Sequence, residues 1–265
     1  MKKNLLQQRP PYPIESVDNA LRLLQMLRDG GSVRLTDAAE AISVAPSTAH
    51  RLMSMLVYRG FAMQDDSRRY VAGPALGVRA IGAPWLHDLR RQALEPMEVL
   101  SSQLKETVHL VVRVGANIRF LSTVESHEVL RIGDRTGTVI PAIGASSGKA
   151  LLALEPEERL ASIYRGRAAQ LAGTALDDTE YAHLLAELNS IRALGYALSR
   201  ERTEPGVGAV GVAVCSPQGV PIAGLSVSTP IGRLDDVLAD DRLAHLFLCR
   251  DEITQLAAAL PIDVA

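Results

Sequence analysis

From Ser16 onward the apolar residues fall at helical intervals: Val17, Ala20, Leu21, Leu24 and Leu27 make one stripe, Ser16 stands where a hydroxyl can cap the first turn, and Gly30-Gly31 ends the run. A short segment, Val33 to Leu35, leads to a second pattern in which Thr36 is the expected N-cap, Asp37 lies near the positive end, and Ala38, Ala39, Ala41 and Ile42 form the packing face. A tight turn at Ser43-Val44 follows, and a third helix opens at Pro46, whose missing N–H costs little in a first turn. Leu52, Met55 and Leu56 are expected to face the core until Arg59-Gly60 stops this helix, leaving Ser47, Thr48 and Arg51 for another partner. Three helices with a tight turn between the last two give the order of a helix-turn-helix, whose second member can enter a DNA major groove.

The rhythm then changes to period two. Phe61-Ala62-Met63-Gln64 and Tyr70-Val71-Ala72 read as strands joined by Asp65-Asp66-Ser67-Arg68-Arg69, a hairpin in the position of a wing. Arg68 and Arg69 near its tip are candidates for contact with phosphates or a minor groove, because guanidinium groups bind phosphate well and fix position more than they read sequence. A helical pattern resumes at Trp85 and runs through Leu100 and Leu104, interrupted by Gly82-Ala83-Pro84 and by Pro96, which either bends the helix or opens a fresh first turn. This segment reads as an interdomain linker helix, with Trp85, Leu89 and Ala93 as packing residues.

Beyond Thr107 strands and helices mix. Val108–Val114, Ile118–Val124 and Val129–Ile132 are expected as strands, Gly148–Leu154, Pro156–Ile163 and Thr179–Leu194 as helices, and three further strands around Tyr196–Ser199, Val207–Cys215 and Val220–Ser228 precede a closing helix from Leu238 to Leu260. That order predicts an α+β domain with a largely antiparallel or mixed sheet, able to enclose a small ligand. The whole chain divides into a flexible arm (1–12), a winged helix-turn-helix (13–75), the linker helix (76–106) and an effector-binding domain (107–265).

Composition narrows the functional classes. The net charge of −2 excludes a protein that coats nucleic acid generally, yet residues 1–75 carry 10 Lys/Arg against 7 Asp/Glu and residues 76–265 carry 18 against 23. The basic end is the helix-turn-helix end, and a dimer would double its phosphate contacts. No stretch is apolar for the length of a membrane span, and the basic start through Arg9 lacks the apolar centre of a secretion signal. Cys215 and Cys249 lie far apart without metal-ligand spacing, which fits a reducing cytoplasm.

With these elements in order, the chain resembles the IclR family of transcriptional regulators over nearly its whole length. The resemblance rests on Ser16-Val17-Asp18 with Ala20-Leu21, Ser47-Thr48-Ala49-His50-Arg51-Leu52, Arg69-Tyr70 with Gly73, Gly148-Lys149-Ala150-Leu151-Leu152, Gly195-Tyr196, Glu204-Pro205-Gly206-Val207, Leu225-Ser226-Val227-Ser228 and Arg233-Leu234. It implies a GAF-like effector-binding domain behind the winged helix-turn-helix, a homodimer or homotetramer on palindromic double-stranded DNA, and no cofactor. DNA contacts are implied at Ser47, Thr48, His50, Arg51, Arg68 and Arg69. Many relatives have a lysine before the Ser-Thr pair where this chain has Pro46, so its operator need not match theirs. A small-molecule effector, an organic or aromatic acid, is implied between the loop from Ile140 to Ser146 and Ser147 on one side and Ser199, Val207, Ala209, Ser226 and Ser228 on the other. Ser199 and Ala209 stand where some members have an acidic residue and a cysteine, giving a less acidic and roomier pocket. His109 and Arg131 are further polar candidates, and a helix start near Ser146 could offer N–H groups to a carboxylate.

Two rival readings compete. Ser146-Ser147-Gly148-Lys149 has the S-x-x-K spacing of acyl-serine enzymes but lacks their companion S-D-N and K-T-G signals. Gly144 to Ala150 misses the P-loop by one residue between its glycines and by the hydroxyl after the lysine. The six histidines are scattered without paired metal spacing. A winged helix that binds protein instead of DNA is the other alternative.

Overall fold

A computed structural model describes residues 11–30, 32–65, 67–73, 84–166, 169–170 and 173–260. The expected arm through residue 10, the segment 74–83, Gly31 and Asp66 lie outside these described residues. Two compact units form, one built on Glu15–Ala72 and the other on Pro84–Ala257.

In the smaller unit, α1 (Glu15–Gly30), α2 (Leu35–Ala41) and α3 (Pro46–Tyr58) surround a core of Leu23, Leu27, Val33, Ala38, Ile42, Met53, Leu56, Val57, Ala62 and Tyr70. The buried face of α1 is rotated from the one expected: Leu23 and Leu27 are fully buried, while Val17 and Leu21 remain about half exposed. Met55 and Ala41 likewise point outward, and Ala49, Met53 and Val57 take the packing role on α3. The N-cap of α2 is Arg34, with no side-chain cap, so Thr36 is not the capping residue; its hydroxyl donates to Asp37 instead. Ser43 closes the turn before α3 in the left-handed conformation (φ 57°), and Arg22 donates to the Ala41 carbonyl (2.6 Å), fastening α1 to the end of α2.

The hairpin of β2 (Ala62–Gln64) and β3 (Tyr70–Ala72) forms as expected, and a third strand joins it: β1 (Ser32–Val33) pairs antiparallel with β3. Two residues are too few for a periodicity to be visible in sequence.

The larger unit is a six-stranded antiparallel sheet between two helical layers. Its strands, in spatial order, are β6 (Val139–Pro141), β5 (Asn117–Val124), β4 (Thr107–Val114), β9 (Pro221–Pro230), β8 (Val207–Cys215) and β7 (Ala197–Arg200). One face, carrying Val108, Leu110, Val112, Val210, Val212, Leu225 and Val227, packs under α4 (Pro84–Gln92), α5 (Leu94–Leu104) and the last long helix, Asp240–Ala257. Trp85, Leu89 and Ala93 are packing residues as expected, and Pro84–Leu104 is integral to this unit. The break between α4 and α5 follows from Pro96, which lacks the N–H that would bond the Gln92 carbonyl and sits in the first turn of α5. The opposite face lies under α6 (Ser146–Leu152), α7 (Glu157–Tyr164) and α8 (Asp178–Leu194), the last held at its start by a capping box between Asp177 and Glu180.

Val129–Ile132 is not a strand. Val129 and Leu130 project into solvent from a loop, and the sheet edge is taken by the shorter β6. The closing segment is also divided, into a 3-10 turn (Ile231–Arg233), α9 (Leu234–Val237) and α10 (Asp240–Ala257). Arg233 there grips the buried Glu106 with two hydrogen bonds (2.6 and 3.0 Å) and donates to the Leu130 carbonyl, so an otherwise unpaired buried carboxylate anchors the loop after β5.

No described helix is long and apolar enough to cross a membrane.

Candidate functional site

The recognition helix α3 presents two unlike faces. Ala49, Met53, Leu56 and Val57 are buried, while Ser47, Thr48, His50, Arg51, Ser54 and Tyr58 are exposed on the other side. Of the candidate DNA contacts on this helix, none has its side chain tied up by a hydrogen bond or ion pair to a described residue, whereas the nearby Ser54 hydroxyl turns back on the His50 carbonyl (2.8 Å). Small polar groups at the start of a helix with an arginine one turn on can reach base edges in a major groove.

The two wing arginines differ. Arg68 sits at the tip in the left-handed conformation (φ 60°), exposed, its N–H bonded to the Asp65 carbonyl (3.0 Å) and its carbonyl held by Gln64. Arg69 is half-buried and turns inward: its Nε donates to Ser32 Oγ (3.0 Å) and a second nitrogen to the Ser32 carbonyl (3.2 Å). The side chain thus ties the wing to β1 and leaves Arg68 as the freer cation. Gly73 closes the wing where a Cβ would stand 2.3 Å from the Gly60 carbonyl oxygen, a separation no side chain tolerates.

On the larger unit, Ile140, Ser146, Ser147, Ser199, Val207, Ala209, Ser226 and Ser228 all line one cavity on the α6 face of the sheet. Phe120, Arg135, Ala145 and Thr203 complete its wall, and the volume open to the centre of a water-sized molecule is about 20 Å³. Close packing of α6 makes this enclosure. A Cβ on Gly148 would meet the Ala142 carbonyl oxygen at 2.3 Å, and one on Gly211 would meet the Ser147 nitrogen at 2.4 Å, so glycines let the helix start sit directly on β8 and on the loop before it.

The polar groups of this cavity are unevenly used. Ser199 donates to the Gly144 carbonyl (2.8 Å). Ser146, Ser147, Ser226 and Ser228 are all buried, and none of their hydroxyls has a hydrogen-bond partner among the described residues. Their oxygens open onto the cavity rather than being sealed in protein, so water or a bound polar molecule can be their partner.

Arg135 is the charge that sequence reasoning missed. Its side chain is 15% exposed and contacts Glu204 at 2.7 Å. It lies in a loop without periodicity, so the only signal available was an arginine in a turn-rich stretch, Gly133-Asp134-Arg135-Thr136-Gly137. Arg131, by contrast, pairs with Glu125 and the Glu128 carbonyl, and is not among the cavity-lining residues. His109 lies on the same sheet face, its Nδ1 3.0 Å from Thr123 Oγ1, its ring edge-on to Phe120, and its Nε2 without a partner among the described residues. Burial, with the Arg135 charge adding to it, pulls its pKa down to about 3, so the ring is neutral near neutrality.

Lys149 does not face a serine. Its buried ammonium bonds to Glu187 and to the Leu198 carbonyl, joining α6 to α8 and β7. An amine committed to two acceptors cannot take a serine proton, so the S-x-x-K spacing is structural here. Among the described residues no group of three or more His, Cys, Asp or Glu is placed to hold a metal ion, and Cys215 and Cys249 are both free.

Residues 16–66 match the IclR helix-turn-helix domain and residues 85–254 match the bacterial transcriptional regulator IclR C-terminal domain. Among curated relatives, the HTH-type transcriptional regulator BhcR of Paracoccus denitrificans (strain Pd 1222) is 30% identical over 254 residues, spanning 95% of this chain and 88% of the relative. The HTH-type transcriptional regulator KdgR of Escherichia coli (strain K12) is 28% identical over 249 residues, spanning 93% and 94%. The crystal structure of the Thermotoga maritima IclR superposes with a TM-score of 0.56 at 25% identity, covering 92% of this chain and 98% of that one. A fold neighbour from Microbacterium hydrocarbonoxydans, described as an IclR homolog complexed with 4-hydroxybenzoate, has a TM-score of 0.55 at 23% identity, covering 92% and 99%. Two domain matches in the family's order, over the winged helix-turn-helix and the sheet that holds the cavity, make this chain a member of the IclR family: a DNA-binding transcriptional regulator with an effector-binding domain, and not an enzyme.

Proposed function

We propose that this regulator reads a palindromic operator through Ser47, Thr48, His50 and Arg51, steadied by Arg68 on phosphate, and that a small carboxylic acid in the cavity changes its affinity for that DNA. The observation that carries the effector half is the set of serines, their hydroxyls without partners among the described residues, that line one cavity together with Arg135. The fold neighbour's complex with 4-hydroxybenzoate supports an acid ligand as well. In this reading residues 13–75 serve DNA and residues 107–265 the effector, and α4 and α5 pack as part of the effector unit. A homodimer or homotetramer in the cytoplasm is the working assembly, either repressing or activating.

An effector acts only by binding one arrangement of the dimer better than another; a tenfold preference corresponds to about 1.4 kcal/mol, within the range of one or two hydrogen bonds. Ser226→Val is expected to remove the response of operator binding to acids that release the wild-type protein, with DNA affinity in their absence unchanged. Release of the variant at the same acid concentrations would contradict the pocket assignment.

The wing makes a second test. Arg68→Ala is expected to weaken binding uniformly across DNA sequences and to reduce the slope of log K against log salt by about one. Arg69→Ala is expected to act through Ser32, loosening β1 from β3 and lowering the thermal stability of the DNA-binding unit. Equal salt slopes for wild type and Arg68→Ala would remove Arg68 from the interface.

A further inference from the structure

Resting on the effector reading above, we propose that Arg135 is the residue that takes the effector's carboxylate, that Glu204 occupies it in the empty protein, and that the effector is a small hydroxylated aliphatic acid.

Three observations lead there. Arg135 is largely enclosed in the cavity wall, yet its guanidinium, with five N–H donors, has one side-chain partner among the described residues. That partner, Glu204, is itself a carboxylate, 55% exposed at the end of a turn-rich stretch in which Glu201 is left-handed (φ 53°). A side chain so exposed loses little when a second carboxylate replaces it, whereas the buried guanidinium needs an anion at all times. Among the described residues no other cation lines the cavity: His109 on the same face is neutral, and α6 is only seven residues long.

The hydroxyls select the rest of the ligand. Ser146 and Ser147 on α6 and Ser226 and Ser228 on β9 line the space beside Arg135 from two directions, their hydroxyls open to it and without partners among the described residues. An aliphatic acid carrying several hydroxyls offers each serine both a donor and an acceptor. A plain alkyl chain or an aromatic ring would leave these serines unpaired, which a site built of buried polar groups discriminates against strongly.

The test is calorimetric titration of the full-length protein with D-gluconate and D-glycerate, against hexanoate, 4-hydroxybenzoate and the uncharged polyol glucitol. A hydroxylated acid is expected to bind at least tenfold more tightly than hexanoate or 4-hydroxybenzoate, and glucitol not to bind. Arg135→Gln is expected to lose roughly 30-fold or more of that affinity, as for truncation of a buried hydrogen-bonded charge pair; Arg135→Lys, which keeps the charge, is expected to retain part of it. Glu204→Gln is expected to bind roughly two- to fivefold more tightly, the range for releasing a half-exposed ion pair. Unchanged binding by Arg135→Gln, weaker binding by Glu204→Gln, preference for hexanoate or 4-hydroxybenzoate, or no heat from either hydroxylated acid would each overturn the proposal. Operator release measured in parallel separates the two levels: release by an acid of another class leaves the ligand-responsive regulator standing and removes this assignment alone.

Discussion

Gly148→Ala is expected to lower the melting temperature of the effector unit by roughly 6–12 °C, while Gly144→Ala, four residues earlier in the same stretch, leaves it nearly unchanged. The difference is one of space. At Gly148 an added methyl meets the Ala142 carbonyl oxygen at 2.3 Å and the Ala142 Cα at 2.7 Å, both backbone atoms that cannot rotate away. At Gly144 the nearest atoms are 3.6 Å distant, an ordinary contact. Overpacking of this severity costs about 3 kcal/mol, and in a domain of this size each kcal/mol lowers the midpoint by roughly 2–4 °C. Relief of the clash moves the start of α6 off the loop before it, carrying Ser146 and Ser147 out of the cavity wall. Effector response is therefore expected to disappear even where the variant remains folded. Scanning calorimetry of the two variants decides it; equal melting temperatures would show that α6 is not packed as described.

Acidification is the second large effect. His109 is buried against Phe120 and Thr123, with Arg135 adding its positive field and Asp134 opposing it, and the folded ring stays neutral down to about 3. The unfolded chain takes up a proton on this ring at about 6.5, so below that value the unfolded state binds more protons and stability falls as pH falls. Between pH 6.5 and pH 5 this one residue costs the folded unit about 2 kcal/mol, 1.5 pH units at about 1.36 kcal/mol each. The carboxylates titrate mostly lower and cancel in a comparison with His109→Gln. Urea unfolding at pH 7.5 and pH 5 is expected to show a loss for wild type about 2 kcal/mol larger than for the variant. Identical losses would mean that the ring is protonated in the folded protein.

The fates of particular residues show what the amino-acid pattern carries. On α3, Pro46 at the first turn and Gly60 after the last fix the ends, and the alternation of Ala49 and Met53 with Ser47 and Arg51 fixes which side is free, because local rules govern each. On α1 the leucines supply two adjacent stripes, and helical period alone does not choose between them; packing against α2 and α3 selects Leu23 over Val17 and Leu21. Val129-Leu130-Arg131-Ile132 has the composition of a strand and lacks a pairing partner, which no local pattern reveals. The serines and Ile140 could be named from sequence because the family resemblance implies them as pocket residues, whereas Arg135 enters from an aperiodic loop and is seen only once the chain is folded. Arg69 shows the converse: its place in a wing does not reveal that its guanidinium already bonds Ser32.

Operator recognition by α3 is the central claim, and fluorescence anisotropy tests it most directly. Wild type and Arg51→Ala are titrated onto DNA from the intergenic region upstream of the protein's own gene and onto a scrambled duplex, at one near-physiological salt concentration. The account expects tight binding of wild type to the native fragment alone, and a loss in Arg51→Ala of about 1–3 kcal/mol, roughly 5- to 150-fold, with its preference over the scrambled duplex relaxed. Wild type and Arg51→Ala binding the native fragment with equal affinity and equal preference would contradict it.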